Sequence, residues 1–434
     1  MAPLTSSASS LSGRVLSGFP WFRRNLWLFL VCCVFVFVGI GVQSLVLNLY
    51  LDSVGYREDF MGLFSFANTA GVGIAALLAG KVNNRFGPRR VLQLATVVVA
   101  LSSAALALTV SPAALLVIAV INGVGLAHVF VPSATFVMDN ARPAQRTAAY
   151  SGYFTAQSIA MVIGSYLGGI LPGLATGSIP ASSWGYAFTL LSSGLLAGVG
   201  IIPLLLCNDA KAEGSGSFVV VGGSVSFREQ RRQVERDLRW LVACNAVTAV
   251  ALGLVVPFFN VFFRDHHGAT TEQIGNIYAL GSLAMVVASL LGPSAGRRFG
   301  VIRSIVVLRG LSAPLLLLLM VSPVLATSGA LYVARILLTN ITWPIDNAFS
   351  MELVTPDMRA TLSALRSTSW NLAWAVASAL GGLMIVQFGY NAAFVAGAIF
   401  VVLGSAAYYF GFHSHVVGTP PGQVHTAPLV APEA

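Results

Sequence analysis

Charge is scarce in this chain. Only 9% of its 434 residues are Asp, Glu, Lys or Arg, against 56% hydrophobic residues and a mean hydropathy of +0.81. A water-soluble protein of that length needs far more charge to cover its surface, so that class is excluded. Lysine occurs only at Lys81 and Lys211, with arginine supplying the other basic positions, a bias that suggests a GC-rich bacterial source. Cysteine is confined to Cys32, Cys33, Cys207 and Cys244, whose spacing fits neither a zinc site nor an extracellular disulfide framework. There is no P-loop, His-Glu-x-x-His, Gly-x-Ser-x-Gly or cluster of acids on an aqueous face, which argues against an enzyme or an ATP-driven pump. No cofactor or metal is expected. No cleaved secretory signal is expected: the first 25 residues are Ser-rich and basic, and the apolar stretch after them is too long for a signal core.

What the chain has in abundance is long apolar runs, each able to cross about 30 Å of hydrocarbon. Twelve are read, at 26–52, 59–82, 88–109, 113–138, 147–173, 185–206, 239–263, 271–296, 303–325, 328–353, 360–386 and 391–413. The fold class expected is therefore an all-α polytopic membrane protein with twelve transmembrane helices. The net charge of +9 is distributed by side. With the N-terminus inside, Arg57 and Arg264 are the only basic residues of the outside segments, and the inside segments carry the rest apart from Arg309, Arg335 and Arg366, which fall within spans. That positive-inside bias predicts cytoplasmic N- and C-termini in a bacterial inner membrane, and it accounts for the basic charge without nucleic acid.

The chain also repeats itself. Shifted by 213 residues, Asp52 falls on Asp265, Gly55 on Gly268 and Gly62 on Gly275. Arg85-Phe86-Gly87 falls on Arg298-Phe299-Gly300, Pro143 and Arg146 on Pro356 and Arg359, and Gly168-Gly169 on Gly381-Gly382. The expected organisation is a cytoplasmic segment 1–25, two pseudo-symmetric six-helix bundles at 26–206 and 239–413, a cytoplasmic linker 207–238 and a disordered tail 414–434. Within the linker, Phe218 to Phe227 around a Gly-Gly turn predicts a small hairpin. Arg228, Arg232, Arg236 and Arg239 then form a helical stripe suited to acidic lipid.

The loop after the second span reads Gly80-Lys81-Val82-Asn83-Asn84-Arg85-Phe86-Gly87-Pro88-Arg89-Arg90. This closely resembles the Gly-x-x-x-Asp-Arg-x-Gly-Arg-Arg signature of the major facilitator superfamily, with a degenerate second copy at 292–303. The resemblance covers all twelve spans. It implies two bundles rocking about a central cavity, and loop arginines that pair with an acid at the inner end of the fourth span to latch one conformation. The matching acids are Asp139 and, in the second half, Glu352, with partners Arg85 or Arg89 and Arg298 or Arg303. The resemblance thus assigns a conformational switch to Gly80, Asn84, Arg85, Gly87, Arg89, Asp139, Arg298, Gly300, Glu352 and Arg366. The alternative is that these pairs only anchor loops, since interfacial pairs contribute roughly 0–1 kcal/mol. Asn84 stands where the family has Asp, which weakens the expected latch.

Gly164-Ser-Tyr-Leu-Gly168-Gly169 looks like the Gly-Pro-x-x-Gly-Gly motif of the family's antiporters, with Ser165 in place of Pro; close helix packing is the other reading. Charges inside a membrane are costly and therefore informative. Arg309, Asp346 and Arg366 fall roughly six or seven residues from the inner ends of their spans, a common depth of ~10 Å. Asp346 reads either as a structural partner of these arginines or as a proton-coupling carboxylate. By resemblance, spans one, four, seven and ten line the cavity, and Gln43, Asn122, His128, Asn340, Trp343 and Asn347, with Trp370 and Trp374 on span eleven, are the candidate substrate residues. For His128 a packing role, hydrogen-bonded among apolar neighbours, is the competing reading. These features predict a monomeric secondary transporter working by alternating access, exporting amphipathic or drug-like molecules against protons. Import of a small metabolite and a non-transporting receptor are the alternatives.

Overall fold

The computed structural model describes residues 24–141, 145–177, 182–207, 228–354 and 358–412. The first 23 residues, the 218–227 hairpin and the 414–434 tail lie outside the described residues, as do the side chains of Arg228 and Arg232. Every regular element described is helical. The helices are α1 (Arg24–Ser53), α2 (Glu58–Phe86), α3 (Pro88–Leu106), α4 (Pro112–Asn140), α5 (Arg146–Thr176) and α6 (Ser183–Leu205). There follow α7 in two segments (Arg228–Gly253 and Phe259–His267), α8 (Thr271–Phe299), α9 (Val301–Val321), α10 (Leu325–Leu353), α11 (Arg359–Phe388) and α12 (Tyr390–Phe412).

Eleven of these are long and apolar enough to cross a membrane. The exception is α10, which is 29 residues long but carries Arg335 and Asp346 within its apolar length. Helix ends follow local chemistry. Pro88 and Pro112 occupy first turns, where a missing N–H costs nothing. Gly87 and Gly300 take φ of +80° and +82° in the two copies of the loop motif, a backbone region costly for any residue with a Cβ.

The described residues form two compact units. One comprises the chain up to 207 together with 257–283 and 378–386; the other comprises 228–256, 284–377 and 387–412. In the first, α1 packs on α5 and α6, α2 on α4, and α3 on α4 and α6. Phe29, Phe37, Val99 and Phe136 fill its core. In lipid no hydrophobic force drives one apolar helix onto another, so small residues that let backbones close carry the packing. A methyl group on Gly164 would stand 2.9 Å from the Gly41 Cα, which ties the span-five glycines to α1. In the second unit α9 packs on α10 and α12, and α12 on α7, around Leu241, Cys244, Ile305, Ile345 and Phe412. All four cysteines are buried and free, and burial pushes the Cys207 thiol above its ordinary value, so none is built for thiolate chemistry.

Candidate functional site

The second unit holds a buried charge cluster. Asp346 projects from α10, one helical turn beyond Thr342 and one before Ser350. Its Oδ2 accepts from Arg309 Nη2 on α9 at 2.8 Å and from Arg366 Nη2 on α11 at 3.0 Å. Its Oδ1 accepts from Tyr408 Oη on α12 at 3.0 Å and from Ser350 Oγ at 3.4 Å. Arg309 Nε donates to Thr342 Oγ1 at 3.0 Å, and its guanidinium lies 5.7 Å from the centroid of the Tyr408 ring. Arg366 Nη1 donates to Ser350 Oγ at 2.5 Å. From α7, Asn245 Nδ2 donates to the Arg366 carbonyl at 2.8 Å.

Four helices therefore converge on one carboxylate, and α7 joins them through the Arg366 backbone. The side chains of Asp346, Arg309 and Arg366 are 9%, 9% and 11% exposed, so the pairs are screened little by solvent. The common depth expected of the three charges is what lets them meet. Beside Arg309 a cavity of about 10 Å³, on the scale of a single water, is lined by Thr248, Ser312, Thr339 and Ser405.

One turn from Arg366 begins an aromatic wall. Trp370 stacks on Trp374 with centroids 6.0 Å apart and meets Trp343 edge-on at 5.2 Å. Trp343 is 41% exposed, and Asn347, Ser363 and Ser367 beside the wall are exposed as well. Asn340 turns inward on its own helix, donating to the Ile336 carbonyl at 2.8 Å.

In the first unit the candidate residues sit differently. Asn122 is 1% exposed and donates to Ser102 Oγ at 2.9 Å while accepting from Asn68 at 3.1 Å. Gln43 is buried and accepts from Ser103 Oγ at 2.5 Å. The two belong to one hydrogen-bonded tie across α1 to α4. His128 Nδ1 contacts the Val124 carbonyl at 2.9 Å, one turn back on its own helix.

Among the described residues, no ion pair joins Asp139 to Arg85 or Arg89, or Glu352 to Arg298 or Arg303. Arg85 and Arg298 instead lie over Phe86 and Phe299, 5.4 and 5.6 Å from the ring centroids, the same arrangement in both copies. Arg89 donates to the Leu205 carbonyl at 3.2 Å. Asn84 is exposed, and the buried amide of the loop is Asn83, which reaches Thr135 Oγ1 at 3.3 Å. Around Gly80 there is open space, so it is not a close-packing glycine.

At the opposite end of the first unit the repeat becomes a clasp. A methyl on Gly62 would strike the Ser378 carbonyl, and one on Gly382 the Glu58 carbonyl. Shifted by 213, the same contacts recur: a methyl on Gly275 would lie 3.0 Å from the Ser165 carbonyl and 2.6 Å from the Gly169 Cα, and one on Gly169 3.2 Å from the Thr271 carbonyl. Asn48 Nδ2 donates to the Pro257 carbonyl at 2.5 Å, and Asn260 Nδ2, one position off the 213 register, to the Leu45 carbonyl at 2.8 Å. Arg264 pairs with Asp52 and, at 3.3 Å, with Asp265. Asn48, Asn260, Tyr408 and Ser350 carry no distinguishing signal in the sequence, since isolated hydroxyls and amides in apolar runs are common packing residues.

A family model described as Major Facilitator Superfamily matches residues 28–343 and 241–431. No curated protein is significantly similar in sequence. Among solved structures, the chain resembles a bacterial homolog of the human lysosomal transporter Spinster in an inward-facing, unoccupied conformation. That match has a TM-score of 0.73 at 16% identity, over 92% of this chain and 98% of that one. The nucleoside transporter NupG matches with a TM-score of 0.73 at 13% identity, over 90% and 99% of the two chains. A D-xylose-proton symporter matches with 0.69 at 15% identity, over 89% and 96%. At such identities the likeness is one of fold. The family model, by contrast, runs across both copies of the repeat, and this multi-pass membrane transporter belongs to the Major Facilitator Superfamily.

Proposed function

We propose that the chain is a monomeric secondary transporter of the bacterial inner membrane, with cytoplasmic termini, exporting amphipathic or drug-like small molecules in exchange for protons. The observation that carries the coupling is Asp346, the one acid among the described residues held at that depth by two arginines and a tyrosine. A carboxylate that four helices share changes its partners when any of them shifts, which is what linking proton binding to movement requires. The exposed Trp343 edge and the Trp370–Trp374 stack supply apolar, planar surface for the substrate.

Support for alternation comes from the two ends of the first unit. The glycine and asparagine clasp is closed at one end, while among the described residues Asp139 at the other makes no ion pair with Arg85. In this reading the switch residues Arg85, Arg89, Asp139, Arg298 and Glu352 pair in the opposite state. The direction of export rests on the Gly164 to Gly169 motif, and its packing on Gly41 is compatible with import as well.

The test is flux in proteoliposomes under an imposed pH gradient, run in both orientations. Gradient-driven flux in wild type that is lost in Asp346→Asn, with downhill exchange kept, is the expected result. Equal indifference of both proteins to the gradient refutes the coupling, and uptake that follows protons inward refutes export in favour of symport.

A further inference from the structure

The buried cluster does not balance. Arg309 and Arg366 share the single carboxylate of Asp346, and among the described residues neither arginine pairs with a second acid. The remaining groups at the cluster are uncharged donors and acceptors: Thr342 and Ser350 on α10, Tyr408 on α12, and Cys244 and Asn245 on α7. One positive charge is left over. Arginine cannot remove it by losing a proton, unlike lysine or histidine. An unmatched charge at membrane depth is strongly disfavoured, so an anion from outside the cluster is the natural partner.

The unmatched charge has a side held only by a neutral group. Asp346 occupies only the Nη2 edge of Arg366, while Nη1 rests on the neutral Ser350 hydroxyl. Arg366 is also the more exposed of the two arginines. Ser363, Ser367, Trp370 and Trp374 lie on the same stretch of α11, and the exposed hydroxyls mark a face that is not built against lipid tails. Arg366, Trp370 and Trp374 recur at i, i+4 and i+8 of α11, so the charge and the ring wall arise from one face of the same helix.

We infer that Arg366, together with Trp343, Trp370 and Trp374, binds an amphipathic aromatic monoanion, its carboxylate or sulfonate on the guanidinium and its ring against the indoles. This rests on the transporter reading above and names the substrate class for that same site. Asp346 then competes with the substrate anion for Arg366.

Three ring-matched probes test it on purified full-length protein in detergent, read by tryptophan fluorescence quenching at fixed ionic strength: naphthalene-2-carboxylate, 2-naphthylmethanol and 2-naphthylmethylamine. The carboxylate is expected to bind about tenfold tighter than the alcohol, with the amine weakest, as for a charge-assisted hydrogen bond in a screened site. Asp346→Asn removes the competing anion and tightens the carboxylate several-fold, whereas Arg366→Met erases its preference over the alcohol. Acetate at equal concentration leaves naphthoate bound. Equal or tighter binding of the alcohol or amine overturns the inference, as do weaker naphthoate binding in Asp346→Asn and no binding of any probe. Full competition by acetate overturns the aromatic part. If Arg366→Met does not fold, the wild-type series and the sign of the Asp346→Asn change still decide. Anion-selective binding without gradient-driven flux sinks the coupling proposal and leaves this assignment standing; driven flux without anion preference does the reverse.

Discussion

Adding one methyl group at Gly275 separates a moving clasp from a passive seam. The new Cβ would sit 2.6 Å from the Gly169 Cα and 3.0 Å from the Ser165 carbonyl, both backbone atoms that no rotamer change relieves. Overpacking of this kind costs typically 1–3 kcal/mol, and the cost falls only on the state in which the clasp is closed. At RT of about 0.59 kcal/mol this shifts the closed-to-open ratio by roughly 5- to 150-fold. Gly62→Ala, its repeat counterpart against the Ser378 carbonyl, is expected to act in the same direction. The assay is maleimide labelling of a cysteine placed at Leu49, which is fully buried, after the four native cysteines are replaced by alanine. Where closing is faster than labelling, the rate follows the open fraction, so both alanine variants label faster by that factor. Gly173→Ala, with nothing within 4 Å of its added carbon, labels at the parent rate. Unchanged labelling in two folded clasp variants refutes the idea that these contacts part and reform.

Three further outcomes follow from the same geometry. Arg309→Met leaves a charge-balanced Asp346–Arg366 pair, whereas the Arg309→Met/Asp346→Asn double variant leaves Arg366 buried without a counter-ion and is expected to be less stable by about 3–5 kcal/mol; thermal unfolding that ranks the double variant higher contradicts this. Gly87→Ala and Gly300→Ala each force a Cβ into positive φ at a cost of about 1–2 kcal/mol, while Gly80→Ala is neutral or stabilising despite its place in the loop motif, as melting temperatures will show. Arg264→Gln removes partly exposed pairs with Asp52 and Asp265 and is expected to change stability by less than about 1 kcal/mol, so a larger drop in melting temperature means the clasp relies on that charge.

Much of the fold was legible because its causes are local. Apolar runs report helices able to cross lipid, and Gly87 with Pro88 reports where one helix stops and the next starts. The 213-residue echo reported a repeat, and two of its glycine pairs, Gly62 with Gly275 and Gly169 with Gly382, proved to be matching contacts. The candidate site was legible in part. Arg309, Asp346 and Arg366 stood out because charge in hydrocarbon is costly, and counting residues to the loops put them at one depth. Tyr408, Ser350, Thr342 and Asn245 gave no warning, since a hydroxyl or amide in an apolar helix looks the same whether it faces a carboxylate or its own backbone. Gln43 and Asn122 show the converse: polarity at cavity-like positions suggested a wall, and the chain uses them as a buried tie with Ser102 and Ser103. Asn84 drew attention by departing from a motif, but burial selects its neighbour Asn83.

By itself the sequence determined the solvent, the helices and the duplication, because hydrophobicity, helix ends and repeated residues act over a few positions or by direct identity. Tertiary structure alone decided which polar group meets which. Asp346 draws partners from residues 309, 366 and 408, and Asn48 finds its acceptor at residue 257. A hydrogen bond or ion pair requires about 3 Å and a suitable angle, and only the packing of distant helices sets those.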